Sequence, residues 1–156
     1  FDMAIEAASI LKKSGLRFCW YIIGDGPLRE DLKQQIRDCG VEDCFVLLGT
    51  RNNPYPYISH CEFLIQPSRY EGKSVVLDEA KILATPIVAT AYPTVADQVI
   101  HGQEGMVVPM TPQGIAQGIR EMMEQEDLCE QIRSNLAQRE YGNQAEVEKY
   151  MKLLDM

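Results

Sequence analysis

Arg69-Tyr70-Glu71-Gly72-Lys73-Ser74-Val75-Val76-Leu77-Asp78-Glu79-Ala80 is the stretch from which the fold follows. The residues before it, Phe63-Leu64-Ile65, read as a buried strand, and those after it continue a helix predicted over 74–83. Ser74 is of a type that caps helix N-termini. The order is therefore strand, polar loop, helix N-terminus. In parallel α/β sheets ligands bind there, outside the carboxyl ends of the strands. Unpaired N–H groups and the helix dipole make the same spot attractive to phosphate.

Two glutamates mark the stretch, Glu71 in the loop and Glu79 in the helix, with seven residues between them. On a helix, Glu79 has Val75 and Val76 one turn before it and Ile82 and Leu83 one turn after it. A carboxylate on such an apolar face costs free energy unless it has a partner. Its neighbour Asp78 faces Ser74 and Lys81 and reads as a solvated residue with a weak ion pair. Helical side chains lean toward the N-terminus, so Glu79 is expected to lean back toward the loop that holds Glu71. Two acids converging on a phosphate-friendly helix end suit a ligand with phosphate and hydroxyl groups. The phosphate takes the N–H groups, and the carboxylates accept hydrogen bonds from ribose or sugar hydroxyls. In the alternative reading, Glu71 is an ordinary loop acid and Glu79 pairs with a buried Lys or Arg. Spacing alone leaves both open.

Outward from this stretch, strands and helices alternate. Helical periodicity runs over 1–14 and ends at Gly15. A strand is expected over 17–23, where the apolar run Cys19-Trp20-Tyr21-Ile22-Ile23 suits a sheet covered on both faces. Gly24-Asp25-Gly26-Pro27 turns into a helix over 28–39 that ends at Gly40. A strand over 45–48 closes in Gly49-Thr50-Arg51, and a short helix over 54–60 follows. After the central stretch come strands at 87–90 and 106–108, a short turn or helix over 93–99, and Thr111 as a helix N-cap. Helices are predicted over 115–124, 127–138 and 144–153. The alternation implies a parallel sheet and an α/β, Rossmann-like doubly wound domain.

The 156 residues suit one domain with an adequate core, and 46% hydrophobic with 24% charged residues is an ordinary globular composition. A net charge of -8 argues against a general nucleic-acid binder and against attraction to an anionic membrane surface. Five cysteines without C-x-x-C spacing read as free thiols in a reducing compartment, so the expected location is cytoplasmic. No apolar run is long enough to span a membrane. His60 and His101 lack metal-ligand spacing, and there is no Asp-x-Asp. Ser68 lacks the G-x-S-x-G surroundings of a hydrolase nucleophile. The first residue is Phe1, in a helical pattern, which reads as a fragment of a longer protein.

Five further segments share one resemblance. Gly24-Asp25-Gly26-Pro27, Phe45–Gly49, residues 61–68, Pro86-Ile87-Val88-Ala89-Thr90 and residues 103–108 appear in that order around the paired glutamates. Together they resemble the retaining GT-B glycosyltransferases of family 4, along nearly the whole chain. The resemblance implies the C-terminal, donor-binding half of such an enzyme, spanning residues 1–156. It implies transfer of a sugar from a nucleotide diphosphate sugar to an acceptor hydroxyl with retention, in glycan or polysaccharide synthesis. The nucleotide sugar would be substrate, with no metal or other cofactor required.

By position, Glu71 would bind donor-sugar hydroxyls and support the developing positive charge, and Glu79 would hold the ribose hydroxyls. The backbone N–H groups of Gly72, Lys73, Ser74, Val75 and Val76 would take the diphosphate and the sugar. Gly24, Asp25 and Gly26 would border the donor site, although from residues alone that loop is a tight turn between strand and helix. Arg51 would lie near the base, where it could stack, or it is simply an exposed Arg. Lys73 departs from the family's aromatic or apolar residue; it either pairs an anionic donor group or counters Glu71. The acceptor domain, the family's phosphate-gripping Arg and Lys and the first strand of this domain would lie upstream. Any attachment at the inner face of the membrane would come through that part, and the fragment alone is expected to be inactive. The competing readings are a non-catalytic α/β nucleotide-binding module and a GT-B-type nucleotide-sugar epimerase.

Overall fold

The structure, a computed structural model, describes residues 1–139, so the helix expected over 144–153 lies outside the described residues. The chain runs α1 (Asp2–Lys13), β1 (Trp20–Ile23), α2 (Arg29–Cys39), β2 (Phe45–Gly49), α3 (Tyr55–His60), β3 (Leu64–Gln66), α4 (Val75–Ile82), β4 (Ile87–Thr90), a 3-10 turn (Val95–Asp97), β5 (Gly105–Val108), α5 (Pro112–Glu124) and α6 (Glu126–Ala137). Pro56 falls in the first turn of α3, where its missing N–H costs nothing. The Thr111 hydroxyl accepts from the Gly114 N–H at 3.0 Å and caps α5. Gly40 adopts the left-handed conformation that ends α2.

All strand pairs are parallel, but hydrogen bonding divides the expected single sheet into two pieces. One has the order β1-β2 and the other β3-β4-β5. β4 shows how the larger piece is covered. All four of its residues are buried. Val88 joins a core formed with α1, α5 and α6, while Ile87 and Ala89 join a second core with Ile58 of α3 and Leu77 and Ala80 of α4. Alternate residues thus enter opposite apolar layers, as the period of a strand requires. This is the doubly wound arrangement that the sequence implies.

α1 buries Met3, Ala4, Ile5, Ala7, Ala8 and Leu11 against the first core. The larger of these, Met3, Ile5 and Leu11, contribute roughly 1.5–3 kcal/mol each by their burial. α5 approaches the sheet closely: a Cβ on Gly118 would meet Val108 Cγ1 at 2.4 Å. The strand expected over 17–23 is shorter, because Arg17 and Cys19 are exposed and only the residues from Trp20 onward pair with β2. Tyr21 is also exposed, so one face of β1 lacks the covering its apolar run suggested. All five cysteines are free thiols. Among the described residues no helix is long and apolar enough to cross a membrane.

Candidate functional site

The loop between β3 and α4 is held by residues from two directions. From its own side, the Gln66 Nε2 and the Ser68 hydroxyl both donate to Glu71 Oε1, at 2.8 and 2.7 Å. From the strand beside it, Thr90 donates through its hydroxyl to the carbonyls of Gln66 and Ser68. Thr94 donates to the Glu71 carbonyl at 2.7 Å. Gln98 completes the series with a two-way contact. Its Oε1 accepts from the Ser74 N–H at 2.9 Å, and its Nε2 donates to the Ser74 carbonyl at 3.0 Å. Both residues are buried, so this exchange satisfies groups that would otherwise be costly. An open cavity of about 450 Å³ borders Glu71 and is lined also by Phe1, Gln66, Ser68, Arg69 and Tyr70. Arg69 closes the outer side through a bidentate pair with Asp2 at the start of α1, at 2.7 and 2.6 Å.

The structure refines several expectations about this loop. Ser74 stands at the N-cap position of α4, yet its side chain makes no capping bond, and its N–H is committed to Gln98. The N–H groups of Gly72, Lys73, Val75 and Val76 have no acceptor among the described residues. Four of the five amides expected to meet a ligand are therefore free, at the positive end of the α4 dipole. Lys73 does not counter Glu71. Its ammonium lies 3.4 Å from Asp78, which also pairs Lys81 at 3.5 Å, so Asp78 is the weakly paired helix acid that spacing indicated.

Glu79 stands on a different kind of surface from the one expected. Val75 and Ile82 are 66% and 61% exposed, and Val76 and Leu83 are only partly buried. The helix turns this side outward because Leu77 and Ala80 supply its core face. Glu79 is half-buried rather than sunk among aliphatic neighbours. Among the described residues no cation pairs with it, and its contact is a long hydrogen bond of 3.4 Å from the Tyr55 hydroxyl. The internal Lys or Arg of the alternative reading is absent there.

The remaining predicted residues cluster at the ends of β1 and β2. Gly24 has φ of 131°, a conformation open to glycine and strained for other residues, and its N–H donates to the Gly49 carbonyl at 3.0 Å. The Asp25 carboxylate accepts from the Gly26 N–H at 2.8 Å and lies 3.8 Å from the Arg29 guanidinium. Arg29 also donates to the Leu47 carbonyl at 3.3 Å, linking the loop after β1 to β2. Arg51 is exposed, with its Nε 3.4 Å from the Tyr57 hydroxyl and its Nη1 donating to the Thr50 carbonyl at 3.1 Å. The structure thus ties Arg51 to α3, and α3 to Glu79 through Tyr55. No hydrogen bond or ion pair joins Gly24, Asp25 or Gly26 to either glutamate.

Sequence reasoning missed Gln66, Thr94, Gln98, Tyr55 and Arg29. One signal was available for part of this set. Thr90, Thr94 and Gln98 recur at every fourth position after the apolar run of the strand at 87–90.

The family model for glycosyl transferases group 1 matches residues 1–139. The alpha-D-kanosaminyltransferase of Streptomyces kanamyceticus is 33% identical over 138 residues, 85% of this chain and 35% of that protein. An N-acetylgalactosaminyltransferase of Campylobacter jejuni that acts on a diphospho-undecaprenol acceptor is 33% identical over 109 residues, 69% of this chain and 30% of that protein. Among solved structures, Anabaena HepE in complex with UDP superimposes with a TM-score of 0.86 at 22% identity, covering 98% of this chain and 44% of that one. The chain thus spans 30% and 35% of the length of the two curated relatives and 44% of the solved one, and the likeness places its fold with the GT-B glycosyltransferases. This chain belongs to the group 1 glycosyltransferase family.

Proposed function

We propose that this chain is the donor-binding half of a retaining glycosyltransferase that moves a sugar from a nucleoside diphosphate to an acceptor hydroxyl. The observation that supports it best is the pairing of free amides and free carboxylate oxygens around the start of α4. The amides of Gly72, Lys73, Val75 and Val76 suit a diphosphate, and an anion there gains from the helix dipole. Glu79, without an internal cation, suits the hydroxyls of a ribose. A related solved structure, Anabaena HepE with UDP and glucose, is 25% identical to this chain, with a TM-score of 0.77 over 86% of it.

In this reading chemistry is divided between the two sides of the loop. As the bond from the anomeric carbon to the diphosphate breaks, negative charge grows on the leaving phosphate. The fixed amides stabilise it without reorganising. Positive charge grows on the sugar, and the Glu71 carboxylate lies on that side, its Oε1 held by Gln66 and Ser68. Lys73, an exposed cation of the loop already paired with Asp78, is available to an anionic donor group. Upstream parts of the full protein supply the acceptor site and further phosphate contacts, and the isolated chain does not turn over. Its reaction belongs to glycan assembly, on the cytoplasmic side of the membrane.

The test is a titration of the full-length protein with UDP-glucose, UDP-N-acetylglucosamine, GDP-mannose and ADP-glucose, followed by product analysis with the donor that binds. Saturable binding of a donor and release of its nucleoside diphosphate with an acceptor present support the reading. Binding of none, or interconversion of the sugar without transfer, overturns it.

A further inference from the structure

Tyr92 is the least expected residue in the molecule. It follows β4, is 1% exposed and packs in the second core with Leu77, Ala80 and Val95. Its hydroxyl is fully buried and has no hydrogen-bond partner among the described residues. Buried hydroxyls are nearly always paired, so an orphan of this kind calls for an explanation. A phenylalanine would fill the same space without the cost of a dehydrated, unpaired donor.

The setting shows what the hydroxyl faces. Along this segment Thr90 donates to loop carbonyls at Gln66 and Ser68, and Thr94 donates to the carbonyl of Glu71. Tyr92 lies midway between these two ties and is the one that lacks its bond. The charged group whose field reaches its hydroxyl is Glu71. Burial first, and then that negative charge, push the phenol above its ordinary range, which keeps it protonated and a donor at neutral pH. On the other side, Glu71 Oε1 already accepts from Gln66 and Ser68, whereas Oε2 accepts nothing among the described residues. A donor without an acceptor thus stands within the field of an acceptor without a donor. The loop between them has room to move at Gly72, where even an added Cβ would meet nothing within 4 Å.

We infer that Tyr92 is a positioning residue for Glu71: when a donor sugar seats in the loop, its hydroxyl donates to Glu71 Oε2 and fixes the carboxylate from behind. The unpaired state belongs to the ligand-free protein and the paired state to the complex. Part of the binding free energy then comes from relieving the cost of that unpaired hydroxyl. The inference rests on the donor-binding reading above, and the experiment separates the two.

The experiment compares Tyr92→Phe, Glu71→Gln and the double variant with the wild-type full-length protein. Each is melted without ligand and titrated with the same four donors. The expected result is two shifts of opposite direction. Tyr92→Phe raises the ligand-free melting temperature by roughly 2 °C, because an unpaired buried hydroxyl is removed. It weakens donor binding roughly tenfold, because a hydrogen bond to a charged group is lost in the complex. In the Glu71→Gln background the same change alters affinity much less, since the pair is coupled. Three outcomes overturn the inference while leaving the functional reading intact: unchanged affinity in Tyr92→Phe, a lowered melting temperature together with lowered affinity, or full additivity with Glu71→Gln. If the wild-type protein binds none of the four donors, the functional reading fails first and this inference falls with it.

Discussion

The two glutamates share a helix end, and the molecule treats them in opposite ways. Glu71 sits in a web: Gln66 and Ser68 on one carboxylate oxygen, Thr94 on its carbonyl, and Gln98 gripping the backbone three residues later. Glu79 has a single long contact from an exposed tyrosine, with solvent-exposed Val75 and Ile82 on either side. On the proposed reading, the difference separates chemistry at Glu71 from binding at Glu79. A group that must meet a developing charge gains from being fixed beforehand, because nothing need reorganise in the transition state. A group that only accepts hydroxyls can remain solvated until the ligand arrives. The first is expected to govern turnover and the second affinity.

The largest effect that could break this contrast is at Glu71. Glu71→Gln keeps an oxygen for Gln66 and Ser68 and removes the charge. In the full-length enzyme it is expected to lower kcat roughly 100-fold, by analogy with loss of a preorganised electrostatic group, while donor affinity falls by no more than the roughly tenfold attached to the Tyr92 bond. Steady-state kinetics with the selected donor check it. A loss confined to KM would show that Glu71 merely binds.

Glu79→Gln is expected to do the reverse at smaller scale. Hydrogen bonds to a charged acceptor are worth about 1.5–3 kcal/mol, so affinity for the nucleotide should fall roughly tenfold while kcat is nearly preserved. Stability should change by less than about 0.5 kcal/mol, because the side chain is half-exposed and its one internal contact is long. Calorimetric titration and a thermal melt measure the two together. A large loss of stability would mean that Glu79 is structural after all.

How much of this was legible beforehand depended on distance along the chain. The order strand, loop, helix needs only neighbours, and it places β3, α4 and both acids correctly. The environment of Glu79 was misjudged because helical spacing says which residues flank it, not which face the core covers. Leu77 and Ala80, rather than Val75 and Ile82, turned out to face inward. The ties from Thr90, Thr94 and Gln98 span 22–24 residues and depend on β4 lying beside β3, which local patterns cannot reveal. Tyr92 was hidden for the same reason: a tyrosine in an apolar stretch reads as core, and its unmatched hydroxyl exists only in three dimensions.

The smallest effect sharpens the comparison by testing the loop's outer anchor. The Arg69 guanidinium holds the Asp2 carboxyl well below the ordinary carboxylate range, chiefly through its two hydrogen bonds, while burial opposes the shift. An acid whose folded pKa is depressed adds stability above its unfolded pKa and loses it as the pH falls through the folded value. Both partners are about half exposed, so the pair is screened and worth at most about 1 kcal/mol. Asp2→Asn should therefore lower the melting temperature slightly at neutral pH. The gap from wild type should close as the acid titrates at low pH, and it should shrink in high salt. The ties of Thr94 and Gln98 carry no titrating group and should hold through the same range. If Asp2→Asn also loosened donor binding as strongly as Glu79→Gln, the outer anchor would belong with the fixed side of the site, and the division between a prearranged Glu71 and a waiting Glu79 would have to be redrawn around the whole loop.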